Sequence, residues 1–283
     1  MTGQSADRSA PVFRVEVDGC GRIEVGPTRT QNQDAILVAT AIATASGTRL
    51  SWSGTVPDSG LPIAVIDGMG GYAGGNDAAA LVAAALAAVE LDKDSAGWDA
   101  WFESLSLKVA RAGEAWGTPD MGATAALLAI TPRALVATNV GDCRIYRVVG
   151  GHLGQLSVDD RTDDLGSKTV TQAIGGSTRI DAHTWVQDYT GGHERYVLCS
   201  DGVWDTLDPH ILRDLCTADR PPSQIVDAIA FSIYAQLATD NCSIIVIDLD
   251  AAPAPDLTDA ESNSPTALSV AVEVSPHEPA PTA

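Results

Sequence analysis

Basic residues are scarce in this chain: 17 Lys and Arg stand against 37 Asp and Glu, a formal net charge of −20. So acidic a chain repels phosphate backbones and anionic lipid surfaces, which excludes nucleic acid and membrane as partners. Cysteine is sparse and scattered, at Cys20, Cys143, Cys199, Cys216 and Cys242, with no Cys-x-x-Cys pair. That spacing argues against a zinc site or a disulfide framework and suits a reducing cytosol, so a cytoplasmic location is expected. Long apolar runs are missing too. The longest, Ala78 to Leu91, is Ala-rich and too short to span a bilayer, and reads as a buried helix. The first ten residues carry no apolar stretch and no cleavage pattern, so no signal peptide is expected. No internal repeat is found. No twelve-residue EF-hand loop occurs, which disfavours a calcium-binding structural domain.

What is present is a large apolar fraction, 45% of 283 residues, enough for one sizeable core. Several apolar runs end on Asp-Gly or Asp-Asn. Ile63 to Ile66 leads into Asp67-Gly68-Met69-Gly70-Gly71, and Tyr196 to Leu198 leads into Cys199-Ser200-Asp201-Gly202. Asp240-Asn241 precedes the run Ser243 to Leu249, and Asn32-Gln33-Asp34 precedes Ala35 to Ile42. Asp-Gly alone is a common turn dipeptide. A carboxylate at the end of a buried strand, however, faces solvent from a rigid backbone. Several such carboxylates converging make a site for hard divalent cations, which take oxygen ligands.

Strand-like alternation covers Val12 to Val17, Gly21 to Val25 and Ala35 to Thr44, and residues Ser46 to Gly60 read as a hairpin or loop. After the core strand Leu61 to Ile66, Asn76 or Asp77 can cap a helix that runs to Leu91. A second helix runs from Trp98 to Ala115. Ala123 to Ile130, Ala134 to Asn139 and Ile145 to Val149 read as an antiparallel meander. A short helix is expected within Leu165 to Ile174, strands over Arg179 to Gln187 and Arg195 to Leu198, and helices over Pro209 to Leu215 and Pro222 to Leu237. Residues 1–11 read as an extension, 12–250 as one domain, and 251–283 as a disordered acidic, Pro/Ala-rich tail without Lys or Arg. Strands with helices in separated pairs imply an α+β layered fold.

The ordered set Arg29 to Asp34, Asp67 to Gly71, Gly122-Ala123-Thr124, Gly141 to Tyr146, Ala173-Ile174-Gly175, Leu198 to Gly202 and Asp240-Asn241 resembles the metal-dependent Ser/Thr protein phosphatases of the PPM type (type 2C), from about Val12 to Leu249. The resemblance implies a four-layer α-β-β-α sandwich with two antiparallel sheets between helical pairs. It implies two Mn²⁺ or Mg²⁺ ions that lower the pKa of a shared water, which attacks phosphorus directly. The substrates it implies are phosphoproteins, either targets of Ser/Thr kinases or the kinases themselves. A catalytically silent, partner-binding relative is the alternative.

Position by position, Asp67 resembles the carboxylate that bridges the two ions, and Gly68 the residue that offers its carbonyl. Asp201 and Asp240 complete the metal shell. Asp34 resembles a carboxylate that holds metal-bound water, and Arg29 the arginine that clamps the phosphate. Asp120 and Asp205 could join Asp201 around a third ion, although Asp120 stands one position out of register. Gln33 stands where many relatives carry Glu, which would lower the negative charge there. Met69 stands where many carry a His that acts as general acid, so water is expected to protonate the leaving alkoxide. Cys143, where Ser is frequent, is expected to serve folding. The acidic stretch Asp159 to Asp164 falls where relatives carry a substrate flap and reads as a short solvated loop.

Overall fold

The computed structural model describes residues 11–162, 169–254 and 266–274, with the backbone alone for Tyr72 and Ala73. β1 (Phe13–Glu24) is followed by β2 (Asp34–Val38), β3 (Ala41–Ala43), β4 (Thr48–Thr55) and β5 (Leu61–Met69). Helices α1 (Gly71–Leu86) and α2 (Ser95–Trp116) come next. Then come β6 (Gly122–Ile130), β7 (Ala134–Val140), β8 (Arg144–Val149), β9 (His152–Gln155) and a small hairpin of β10 (Arg161–Thr162) and β11 (Thr169–Val170). β12 (His183–Asp188) and β13 (Gly192–Cys199) lead into α3 (Asp201–Trp204), α4 (Pro209–Cys216) and α5 (Pro222–Ala235). β14 (Cys242–Pro253) and β15 (Ser269–Val274) end the described chain.

The strands form a seven-stranded sheet in the order β15-β4-β1-β14-β13-β8-β9 and a six-stranded sheet in the order β12-β7-β6-β5-β2-β3. Three separate cores define four layers. One lies between the sheets, where Ile36, Leu61, Ile63 and Leu128 meet Leu50, Tyr196, Leu198 and Ile245. A second joins the six-stranded sheet to α1 and α2 through Val82, Leu86, Trp98, Phe102 and Val109. A third joins the seven-stranded sheet to α4 and α5 through Leu212, Ile225, Val226 and Ile229. The expected α-β-β-α sandwich is what the chain adopts. Strands covered on both faces read as continuous apolar runs, and β6 is buried at all of its positions. α2 starts where the Asp94 side chain accepts from the Gly97 N–H at 2.8 Å, and stops at Gly117, which is left-handed.

Several local expectations are corrected. β1 is one strand, not two, because the Trp52 indole covers Gly19 and the Ile36 and Ile245 side chains fill against Gly21. The stretch Ser46 to Gly60 contains β4, whose alternation of Leu50 and Trp52 inward is masked in the sequence by Ser and Gly neighbours. α1 begins at Gly71 rather than Asn76, since Gly70 takes a φ of 114° that lets β5 turn directly into the helix. The meander is broken: β8 crosses to the other sheet and pairs with β13 and β9. Of the expected helix over 165–174, residues 165–168 lie outside the described residues. Thr169–Val170 is strand, and Ile174 bridges to Ala123. The tail is not patternless throughout. β14 runs to Pro253, and β15 pairs antiparallel with β4, packing Leu268 and Val270 against the central core.

Candidate metal centre

Asp34 and Asp67 stand opposite one another because β2 and β5 pair in that register. Asp201 opens α3 just past β13, and Asp240 precedes β14, the neighbour of β13. Acids from both sheets therefore meet at one end of the sandwich. Cross-sheet hydrogen bonds fix this end. The Ser200 and Ser243 hydroxyls donate to Asp34 Oδ2 at 2.9 and 2.7 Å. Asn241 accepts from the Gln33 N–H at 2.9 Å, and its amide donates to the carbonyls of Val25 and Gln31.

The result is negative charge under strain. Asp34 is 1% exposed, and burial pushes its carboxyl up to about 6. Burial, then the charge of Asp34, drives Asp67 well above the ordinary carboxylate range. Asp201 rises to about 7 through burial and then the charges of Asp142, Asp240 and Asp34. Asp142 is likewise raised, first by burial, with Arg161 opposing. Oxygens Asp34 Oδ1 and Asp201 Oδ1 are buried with no hydrogen-bond partner. Clustered carboxylates held close to their protonated range, with orphaned buried oxygens, form a donor set suited to hard cations.

Gly68 sits where a side chain has no room. A Cβ there would overlap the Gly75 carbonyl oxygen and lie 2.6 Å from the Gln33 carbonyl oxygen. Gln33 does not join the acids, since its side-chain amide donates to the Gly71 carbonyl at 2.7 Å and ties the start of α1 to β2. The thiol of Cys143 is buried beside the Thr124 hydroxyl at 3.2 Å, a packing role.

Arg29 lies at this end, and its Nη2 contacts Asp240 Oδ2 at 2.7 Å while Nε donates to the Thr239 carbonyl. The other Asp240 oxygen accepts from the Asn241 N–H. Asp120 is exposed in the turn before β6, with its carbonyl backed onto Gly70. Asp205 caps α3 and faces Arg161 Nη2 at 3.9 Å. Among the described residues, no three His, Cys, Asp or Glu side chains are drawn together closely enough to hold a metal ion as they stand.

Asp142 and Arg161 were not anticipated as site residues. Asp142 is also an acid just past a buried strand, β7, but it follows Gly141 where Asp67 and Asp201 precede a Gly, and it is 3% exposed. Asp159 and Asp160 also differ from the solvated loop expected. Asp159 binds the Arg144 guanidinium at 2.7 Å, and Asp160 accepts from the Gly141 N–H at 2.8 Å and from Gln172 at 2.7 Å. Asp163 and Asp164 lie outside the described residues.

Comparison with known proteins agrees with this architecture. The family model for Protein phosphatase 2C matches residues 49–222. The chain is 29% identical over 217 residues to the serine/threonine protein phosphatase PstP of Mycobacterium tuberculosis, across 66% of this chain and 40% of that protein. It is 26% identical over 205 residues to the probable protein phosphatase 2C 8 of Oryza sativa subsp. japonica, across 56% of this chain and 51% of that protein. The chain thus spans about half the length, or less, of these curated relatives. Among solved structures, PppA, a key regulatory component of T6SS in Pseudomonas aeruginosa, superposes with a TM-score of 0.67 at 25% identity, over 86% of this chain and 99% of that one. The catalytic domain of PstP in complex with 2 manganese ions gives 0.66 at 22% identity, over 83% and 99%.

Proposed function

Given that this chain belongs to the protein phosphatase 2C family, we propose that it hydrolyses phosphoserine and phosphothreonine in proteins by direct attack of water on phosphorus. The observation that carries the reading is the convergence of Asp34, Asp67, Asp201 and Asp240 from both sheets, with two buried carboxylate oxygens left unpaired. Asp67, Asp201, Asp240 and the Gly68 carbonyl would hold two divalent cations, Mn²⁺ or Mg²⁺. Bound cations would supply a water of lowered pKa and screen the charge on phosphate.

The chain's own residues do the rest. Asp34, held from behind by Ser200 and Ser243, keeps Oδ1 free to accept from a water and orient it. Arg29 is half-exposed and reaches Asp240, so its fork lies at the mouth of the site, where phosphate oxygens would arrive. A cation held by Asp240 would compete with Arg29 for Oδ2 and so leave the guanidinium available to phosphate. No described histidine sits at the acids: His152 is exposed at the start of β9, His183 bonds Asp160, His193 faces Asp250 and His210 lies on α4. The leaving alkoxide therefore takes its proton from water. Phosphoprotein substrates follow from the reaction. The described residues include no helix long and apolar enough to cross a membrane.

The Arg29–Asp240 pair also favours a second reading, since it joins a clamp to a ligand. In that reading the fold is a silent module that binds a partner. Hydrolysis of p-nitrophenyl phosphate and of a phosphothreonine peptide, with Mn²⁺ and with EDTA, separates the two. Metal-dependent turnover is expected, and its absence with Mn²⁺ present would leave the silent module.

A further inference from the structure

A buried cation already stands beside the acids. Arg161 opens β10 with its side chain 8% exposed, Nη1 3.4 Å from Asp142 Oδ2 and Nη2 3.9 Å from Asp205 Oδ2. Its charge also acts on Asp201, favouring the ionised form. Packing, and not the acids alone, sets its place. The guanidinium lies 4.9 Å from the Trp204 ring centroid, and Arg144 lies 3.4 Å from the same centroid. The Trp204 indole is itself tied to the Asp142 carbonyl at 3.1 Å. The backbone just before Arg161 is pinned by Asp159 on Arg144 and by Asp160 on Gly141, Gln172 and His183.

A guanidinium held in this way cannot move aside as an exposed side chain would. A divalent cation seated between Asp142 and Asp205 would meet a fixed like charge within a few ångströms, where repulsion in a partly buried site is poorly screened. We propose that Arg161 is a built-in counter-ion, a positioning residue that occupies the place of a further cation between Asp142 and Asp205 and holds the centre to two ions. Arg161 in that place runs against the sequence-based expectation that Asp120 and Asp205 join Asp201 around a third ion. The inference rests on the phosphatase reading of Asp67, Asp201 and Asp240 as a cation site.

The test is calorimetric titration of the full chain with MnCl₂, which reads ion count without turnover. Wild type is expected to bind two ions, and Asp205→Asn to bind the same two with unchanged affinities. Arg161→Gln is expected to gain one further, weaker ion, and the double variant Arg161→Gln with Asp205→Asn to lose it. Arg161→Lys keeps the charge and stays at two. Loss of an ion in Asp205→Asn alone would overturn the proposal, and this comparison holds even if Arg161→Gln does not fold. No gain in a folded Arg161→Gln, or a gain in Arg161→Lys, would also overturn it. If no protein in the set binds Mn²⁺, the cation site itself falls, an outcome distinct from equal, nonzero counts throughout.

Discussion

Replacing Asp201 with Asn removes one negative charge from the acidic end of the sandwich and keeps the shape of the side chain. In the metal-free protein that charge opposes folding. The carboxyl rises from 3.8 to about 7 on folding, through burial and then the neighbouring Asp142, Asp240 and Asp34. A carboxyl raised in this way binds its proton more tightly in the folded state. Its stability is therefore whole below about pH 4 and is lost as pH climbs through about 7. Three pH units correspond to about 4 kcal/mol by pH 8, and relaxation of the neighbours reduces this to on the order of 2–4 kcal/mol. For a chain of this size that is a gain of roughly 5–10 °C in melting temperature. The assay is thermal unfolding of wild type and Asp201→Asn, in EDTA and in MnCl₂, at pH 5 and pH 8. In EDTA the variant should melt higher at pH 8, and the gap should narrow sharply at pH 5. In MnCl₂ the gap at pH 8 should shrink, because each ion bound at a hundredfold excess over Kd adds about 2.7 kcal/mol to wild type, whereas the variant has lost a ligand. A variant no more stable than wild type at pH 8 in EDTA would show that the fold already neutralises Asp201. The acids would then need no cation.

Arg29→Ala should lower kcat/KM about 10–1,000-fold, as for the loss of one preorganised donor. Because Arg29 holds Asp240 Oδ2 at 2.7 Å, the same variant should bind Mn²⁺ more tightly by calorimetry, and an unchanged affinity would refute that link. Truncation after Ala254 should lower the melting temperature by a few degrees through loss of β15 and its contacts at Leu268 and Val270, and leave turnover of a small ester intact. An unaltered melt would show that β15 contributes nothing.

The sequence exposes those parts of the centre in which chemistry and local structure coincide. Asp34, Asp67, Asp201 and Asp240 each stand at the end of an apolar strand, and the fold brings all four to one end. Gly68 came from the family resemblance, as a backbone that approaches an ion; in the structure its missing side chain makes room for the Gly75 and Gln33 carbonyls. Long-range pairing was not legible. Nothing local says that Arg29 turns onto Asp240, which lies 211 residues away, or that Arg161 folds back on Asp142. β4 was obscured because its outward residues are Arg49, Ser51, Ser53 and Thr55, which read as loop, while on its inward face Leu50 and Trp52 are too few to announce a period. β15 was hidden by the Pro-rich residues around it. Six residues alternating Val with Ser, Ala and Glu become a strand only when a sheet edge is offered.

The pairing of β1 with β14 bears on how the protein comes to exist in time. Residues Phe13 to Glu24 lie against Pro253 to Cys242, so β1 waits beside an empty edge until β14 has been made. Asp240 and Asn241 arrive with that last strand, and Asn241 is what fastens Val25 and Gln31 in place. Contacts of such long sequence separation form late and slowly. An interrupted or newly emerging chain could bury much of its helical layer around α1 and α2, yet it would have no assembled acidic end. The acidic end can therefore form only in a chain whose synthesis has passed β14.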